Sequence, residues 1–251
     1  MIPMLLTLAL AQVPQSKVEL HRTPADGIQP RAAVDEAGVL HLVYFRGDAA
    51  AGELEYVRSS DGGRTFTEPI RVNSEAKSAT AIGNVRGAQI ALGRGGRVHV
   101  AWNGTPRGKK ETGMLYTRLH DSGTRFEPER DLAGKHHGLD GGGAVAADGA
   151  GNVWVAWHAP DGGKGEVDRR VFVARSKDDG ATFERESAAS EKGRGVCPCC
   201  GLGAAATEKG GVAILYRTAF DGDRRDTTLL LAGEPGGSFR AELVDEWRVP
   251  T

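Results

Sequence analysis

All three cysteines of the chain fall in one hexapeptide, Val196-Cys197-Pro198-Cys199-Cys200-Gly201. Thiols this close can do one of three things. Two can join as a disulfide in an oxidising compartment, with one left over. All three can act as thiolate ligands for Cu(I) or Zn(II), with His136, His137 or His158 as further donors. A pair can also cycle between thiol and disulfide. The C-x-C and C-C spacings are not those of zinc fingers, so all three readings stay open. No other motif calls for a metal or organic cofactor.

A second group is set by charge. Arg31, Arg46, Arg86, Asp140, Arg217 and Arg225 fall in connecting segments that a repeat, described next, brings to one side of the molecule. Guanidinium forks match carboxylate, sulfate or phosphate oxygens, so an anionic glycan or small ligand is the expected partner. The net charge is only -1, which argues against nucleic acid as the main partner.

The segments between these residues repeat. AVDEAGVLHLVYF (33–45), ALGRGGRVHVAWN (91–103), AADGAGNVWVAWH (146–158) and ATEKGGVAILYRT (206–218) share one pattern. Each has a short strand of small residues, a glycine turn, and an alternating apolar strand ending near an aromatic. Tyr44, Trp102, Trp157 and Tyr216 therefore recur about every 57 residues. In phase with them runs S-x-D-x-G-x-T-F, complete at Ser59–Phe66, with Asp61, Gly63 and Phe66, and at Ser176–Phe183, with Asp178, Gly180 and Phe183. A worn copy keeps Asp121, Gly123 and Phe126, and a fainter one has Glu234, Gly236 and Phe239. In such a loop the carboxylate accepts backbone N–H groups, the glycine supplies an unusual φ, and the aromatic enters the core. Each unit reads as four antiparallel strands, A to D, with this loop between C and D. The period predicts an all-β propeller of four-stranded blades, with four blades visible.

The loop motif resembles the Asp box, or bacterial neuraminidase repeat, and the chain resembles a divergent member of the sialidase-like superfamily. The resemblance implies six blades and a ligand face made by the D-to-A and B-to-C loops. It also implies a carbohydrate ligand and, in catalytic members, an exo-α-sialidase type of glycoside hydrolysis. Those members use an arginine triad, a Tyr–Glu nucleophile and an Asp acid/base. Arg31, in Gln29-Pro30-Arg31-Ala32, matches the family's first arginine without the surrounding Arg-Ile-Pro pattern. Asp48 stands where the acid/base lies, and Arg217 where a second arginine could serve; the rest of the set is not found. The resemblance therefore implies a binding propeller in which sialidase turnover is not expected. A hydrolase and a thiolate metal-binding propeller are the alternatives. The Cys-Pro-Cys-Cys segment is similar to one in uncharacterised members of the superfamily.

The ends carry two more expectations. Leu5–Leu10 is a short apolar run before Ala9-Leu10-Ala11, a small-x-small pattern. Residues 1–11 therefore read as a signal peptide and the chain as secreted or periplasmic. The run is too short to cross a bilayer, which takes about 20 apolar residues. Lys17-Val18-Glu19-Leu20 looks like an outer D strand, which makes five D strands for four A–B–C sets. With the chain ending at Thr251, where a fifth A strand is due, residues 12–251 are expected to be an incomplete propeller lacking roughly two blades. A four-bladed ring, monomeric if complete, is the alternative.

Overall fold

A computed structural model describes residues 18–83, 86–234 and 236–250. The signal-peptide reading of residues 1–11 falls outside them. Four antiparallel sheets follow one another along the chain, each with its strands in sequence order. Blade 1 holds β1 (Ile28–Val34), β2 (Leu40–Asp48), β3 (Ala51–Ser59) and β4 (Ile70–Arg71). Blade 2 holds β5 (Gln89–Leu92), β6 (Val98–Gly104), β7 (Gly113–Arg118) and β8 (Arg130–Asp131). Blade 3 holds β9 (Ala144–Ala147), β10 (Val153–Pro160), β11 (Arg169–Ser176) and β12 (Ser187–Ala188). Blade 4 holds β13 (Gly203–Ala206), β14 (Val212–Arg217), β15 (Thr227–Ala232) and β16 (Arg240–Asp245). The first strands of the four blades stand side by side in the order β1, β5, β9, β13.

Alternation along β2, β6, β10 and β14 gives each blade two apolar faces, and neighbouring blades bury them against each other. Val43, Phe45, Leu54 and Tyr56 of blade 1 pack on Val98, Val100 and Trp102 of blade 2. Met114 and Tyr116 of blade 2 meet Val155, Trp157 and Phe172 of blade 3. Trp154 and Val173 of blade 3 meet Ile214, Tyr216 and Leu230 of blade 4. Among the described residues no buried cluster joins blade 4 to blade 1. The four recurrent aromatics are all core residues.

The two complete eight-residue loops have the same wiring. Asp61 Oδ1 accepts the N–H of Thr65 at 2.9 Å and the Ser59 hydroxyl at 2.7 Å, and Thr65 Oγ1 donates to Oδ2 at 2.6 Å. Asp178 repeats this with Thr182 at 2.8 Å, Ser176 at 2.7 Å and the Thr182 hydroxyl at 2.6 Å. The Thr65 hydroxyl and N–H hold the Asp61 carboxyl far below the usual range. Burial works to raise Asp178, but the Thr182 and Ser176 donors outweigh it and hold the group at about 2. Two of the loop aromatics lock blades together, while Phe66 packs within blade 1 on Leu42, Tyr44 and Val57. Phe126 packs edge-on to Tyr56 at 5.5 Å and Phe183 edge-on to Tyr116 at 4.7 Å. Each of those tyrosines shares a hydrogen bond with a buried histidine, His41 at 2.6 Å and His99 at 2.7 Å.

Two details depart from the sequence reading. Val18–Leu20 forms no strand, and Val18 and Leu20 are 81% and 94% exposed. The segment resembles a D strand in alternation alone, and no neighbouring C strand is paired with it. Asp121 does not brace its own loop but takes Arg97 Nη2 at 2.5 Å, because Arg125 stands where the bracing threonine would be.

Candidate functional site

The D-to-A and B-to-C loops lie together on one face and touch from blade to blade. Gln29 Nε2 donates to the Ala81 carbonyl at 2.9 Å, joining blade 1 to the segment before β5. Arg86 grips both the carboxylate and the carbonyl of Asp140 before β9. Gly141, next along, lies against the Cys200 and Pro198 carbonyls and His158 Nε2, where a Cβ would collide with all three. The glycine run 141–143 is the sequence sign of that close approach.

The segment before β13 is packed between two loops. The Val196 N–H donates to the Glu166 carbonyl at 3.2 Å, the Cys197 N–H to the Arg217 carbonyl at 2.9 Å, and the Ala219 N–H to the Arg194 carbonyl at 3.2 Å. Glu166 belongs to the B-to-C loop of blade 3; Arg217 and Ala219 start that of blade 4. Where the three meet, a cleft of about 360 Å3 is lined by Glu166, Val167, Phe220, Asp221 and Arg225. Phe220 has the guanidinium of Arg194 over its ring at 4.2 Å and that of Arg224 at 5.6 Å. Arg225 donates to Glu166 Oε2 at 2.6 Å and to the Arg224 carbonyl at 2.9 Å. Arg217 lies over Trp247 at 4.4 Å and donates to the Arg225 carbonyl at 3.3 Å. Arg194 is exposed, with no ion pair among the described residues. Two larger clefts lie elsewhere. One of about 490 Å3 opens between the A-to-B turns of blades 1 to 3 and has no aromatic wall. One of about 430 Å3 sits at the rim of blades 3 and 4, and its aromatics, Trp154 and Phe239, belong to the core between those blades.

The other expected site residues are on the same face but do not converge on this cleft. Arg31 lies exposed on β1 without a partner among the described residues. Arg46 donates to Glu55 at 2.9 Å, and Tyr44 donates to the other oxygen of that carboxylate at 2.9 Å. Asp48 accepts the Ala50 N–H at 2.8 Å and so closes the β2–β3 hairpin. Asp140 belongs to Arg86, and Asp226 is fully buried against Arg224 at 2.8 Å. Each of these carboxylates is thus tied to an arginine, a tyrosine or a backbone N–H.

Beside the cleft the cysteines converge. Cys197 Sγ is 3.4 Å from Cys199 Sγ and 2.8 Å from Cys200 Sγ, and all three sulfurs lie within 4.8 Å of one another. The Cys200 N–H donates to the Cys197 carbonyl at 3.3 Å, so residues 197–200 form a tight turn. Burial, then the Cys200 thiol, raises Cys197; the Cys197 thiol, then burial, raises Cys199. His158, almost fully buried, accepts Arg169 Nε on Nδ1 at 3.1 Å, which leaves the proton on Nε2. Burial, then the Arg169 charge, lowers its pKa to about 3. His136 and His137 are committed away from the thiols, to Glu186 at 3.2 Å and Asp131 at 2.8 Å. Sequence reasoning missed Phe220, Arg194, Glu166 and Trp247 as a set, because their pairing crosses blades.

No protein-family model matches the sequence, and no curated protein matches it. Solved structures do. The α-L-arabinofuranosidase Arb93A of Fusarium graminearum aligns over 89% of this chain and 68% of its own, at 11% identity and a TM-score of 0.59. An α-L-arabinanase of Penicillium chrysogenum aligns over 88% and 69%, at 13% identity and 0.56. A Hadza microbial sialidase aligns over 87% and 45%, at 18% identity and 0.52. At these identities the likeness is one of fold, and with four four-stranded antiparallel sheets in sequence order that fold is a β-propeller.

Proposed function

We propose that the chain is a secreted propeller that binds an anionic glycan at the Phe220 cleft and does not hydrolyse it. The observation that carries this reading is the cleft itself: Phe220 and Arg225 on its wall and, over the Phe220 ring, Arg194, a guanidinium with no ion pair among the described residues. Aromatic faces suit the apolar side of a sugar ring, and guanidinium forks suit its carboxylate or sulfate. Three of the proteins that share the fold are named as glycosidases, which favours a sugar over other anions. Hydrolysis would need a pair of carboxyl groups free to trade a proton across the scissile bond. In the cleft Glu166 is tied to Arg225, and elsewhere on the face Asp140 and Asp226 are tied to arginines and Asp48 to a turn, which among the described residues leaves Asp221 as a single free carboxylate on the cleft wall and not a pair. The complete eight-residue loops are read as Asp boxes, and the one at Ser176–Phe183 holds blade 3 to blade 2 through Phe183. The apolar run Leu5–Leu10 supports export.

The test is a panel of sialyllactose, an oligogalacturonate and a sulfated oligosaccharide, with a neutral arabinan oligosaccharide as control. Ligand-observed NMR reads binding, and product analysis reads turnover. Binding of an acidic sugar without new reducing ends is expected. Release of free sialic acid, or binding of the neutral sugar alone, would sink the reading.

A further inference from the structure

We infer that Cys197, Cys199 and Cys200 form a trigonal thiolate site for a soft monovalent cation, copper(I). The inference rests on the thiol cluster and is independent of the glycan reading.

The geometry suits a three-coordinate ion. An ion about 2.3 Å from each of three sulfurs in a plane sets those sulfurs about 4 Å apart. The Sγ atoms of the chain lie between 2.8 Å and 4.8 Å of one another, so small side-chain rotations give that triangle. The backbone beneath is fixed. The N–H groups of Val196, Cys197 and Leu202 are held by the carbonyls of Glu166, Arg217 and Gly142 at 3.2, 2.9 and 3.2 Å, each from a neighbouring loop. A Cβ on Gly195 would strike the Ala219 and Glu166 carbonyls, which leaves this segment little room to shift. Cys197 is buried, Cys200 half-buried and Cys199 exposed, so the triangle has one side open for an ion to arrive and leave.

The donor set decides the ion. Thiolates select soft metals, Cu(I) and Zn(II) among them. Structural zinc takes four ligands in a tetrahedron, and the cluster offers three. The nearest candidate for a fourth is His158, whose buried Nε2 has no aligned hydrogen-bond partner and stands beside the Cys200 and Pro198 carbonyls. Because Nδ1 accepts from Arg169, Nε2 carries the proton and has no lone pair to give. His158 therefore supports the loop and does not ligate, and three sulfurs remain. Binding balances as one Cu(I) plus three thiols giving the tris-thiolate complex and three protons released to solvent, with no electron transferred. A disulfide between Cys197 and Cys200 is the competing state, since it would consume two of the three ligands.

The experiment uses the full chain, reduced and desalted under nitrogen, titrated with Cu(I) against a chromogenic Cu(I) chelator. One copper per chain is expected, with a thiolate-to-copper ultraviolet band and X-ray absorption showing three sulfur neighbours. Cys199→Ser, at an exposed position, should keep the circular dichroism of the parent and bind copper roughly tenfold or more weakly. Failure of the reduced parent to hold copper would overturn the site. So would equal affinity in Cys199→Ser, or four-coordinate Zn(II) held where Cu(I) is not. Alkylation of the chain as isolated adds a second readout: three blocked thiols or bound copper support the site. A single reactive thiol with no copper points to the disulfide and overturns it for the resting protein.

Discussion

Gly123 and Gly180 hold the same place in two copies of one loop, yet the structure predicts different costs for adding one methyl group. Both have positive φ, +66° and +76°. Alanine in that region costs about 1–2 kcal/mol at either site. At Gly123 nothing lies within 4 Å of the new Cβ, so the cost ends there. At Gly180 the Cβ would collide with the Tyr116 hydroxyl oxygen and fall 2.9 Å from its Cζ. Tyr116 is fully buried, packed on Phe183 and bonded to His99. Moving it adds about 1–3 kcal/mol of overpacking. Losing its buried hydrogen bond adds about 1–3 kcal/mol more. Gly180→Ala should therefore lose at least about 3 kcal/mol, against about 1–2 for Gly123→Ala. At about 2–4 °C per kcal/mol for a chain of this size, Tm should fall by at least about 6 °C in Gly180→Ala. Urea unfolding of the two variants and the parent measures the difference. Equal losses would mean that the blade 3 loop is not seated on Tyr116, and the account of how blades 2 and 3 lock would fail.

Two further predictions concern acid. The folded pKa of Asp178, about 2, lies below its ordinary value of 3.8, so the unfolded chain binds more protons between them. Its contribution is complete above pH 3.8 and is lost as pH falls toward 2; Asp178→Asn should remove that part of the urea-midpoint profile, and parallel profiles would refute the bracing role. His158 is held neutral to about pH 3 by burial and by Arg169, against an ordinary 6.5, with Asp140 and Arg86 also close enough to act on it. Stability should therefore decline as pH drops from 6.5 toward 3, and His158→Gln should flatten that decline; an unchanged slope would mean that the ring protonates in the folded chain.

The blades were legible because Tyr44, Trp102, Trp157 and Tyr216 each sit at the fifth residue of a B strand, and a B strand must carry core on both faces. The loops were legible where every donor was present. At Asp121 the missing threonine lets the carboxylate turn to Arg97, a partner 24 residues away that a local pattern does not reveal. The same limit governs the site. The arginines could be assigned to one face from strand alternation, but their partners come from other blades. Arg225 with Glu166 and Arg86 with Asp140 join residues more than fifty positions apart. Cys197 and Cys200 could be counted as neighbours, whereas the turn that brings all three sulfurs together depends on carbonyls of Glu166, Arg217 and Gly142. Val18–Leu20 shows the reverse error: alternation without a partner strand is not a strand.

Recognition of an acidic sugar at the Phe220 cleft is tested most directly by calorimetric titration of the parent, Arg225→Ala and Phe220→Ala with the tightest-binding acidic oligosaccharide of the panel. A charge-assisted contact is worth about 1.5–3 kcal/mol, so Arg225→Ala should bind about tenfold or more weakly, and Phe220→Ala should also lose affinity. Unchanged affinity in both variants would place the ligand elsewhere on the propeller and contradict the assignment.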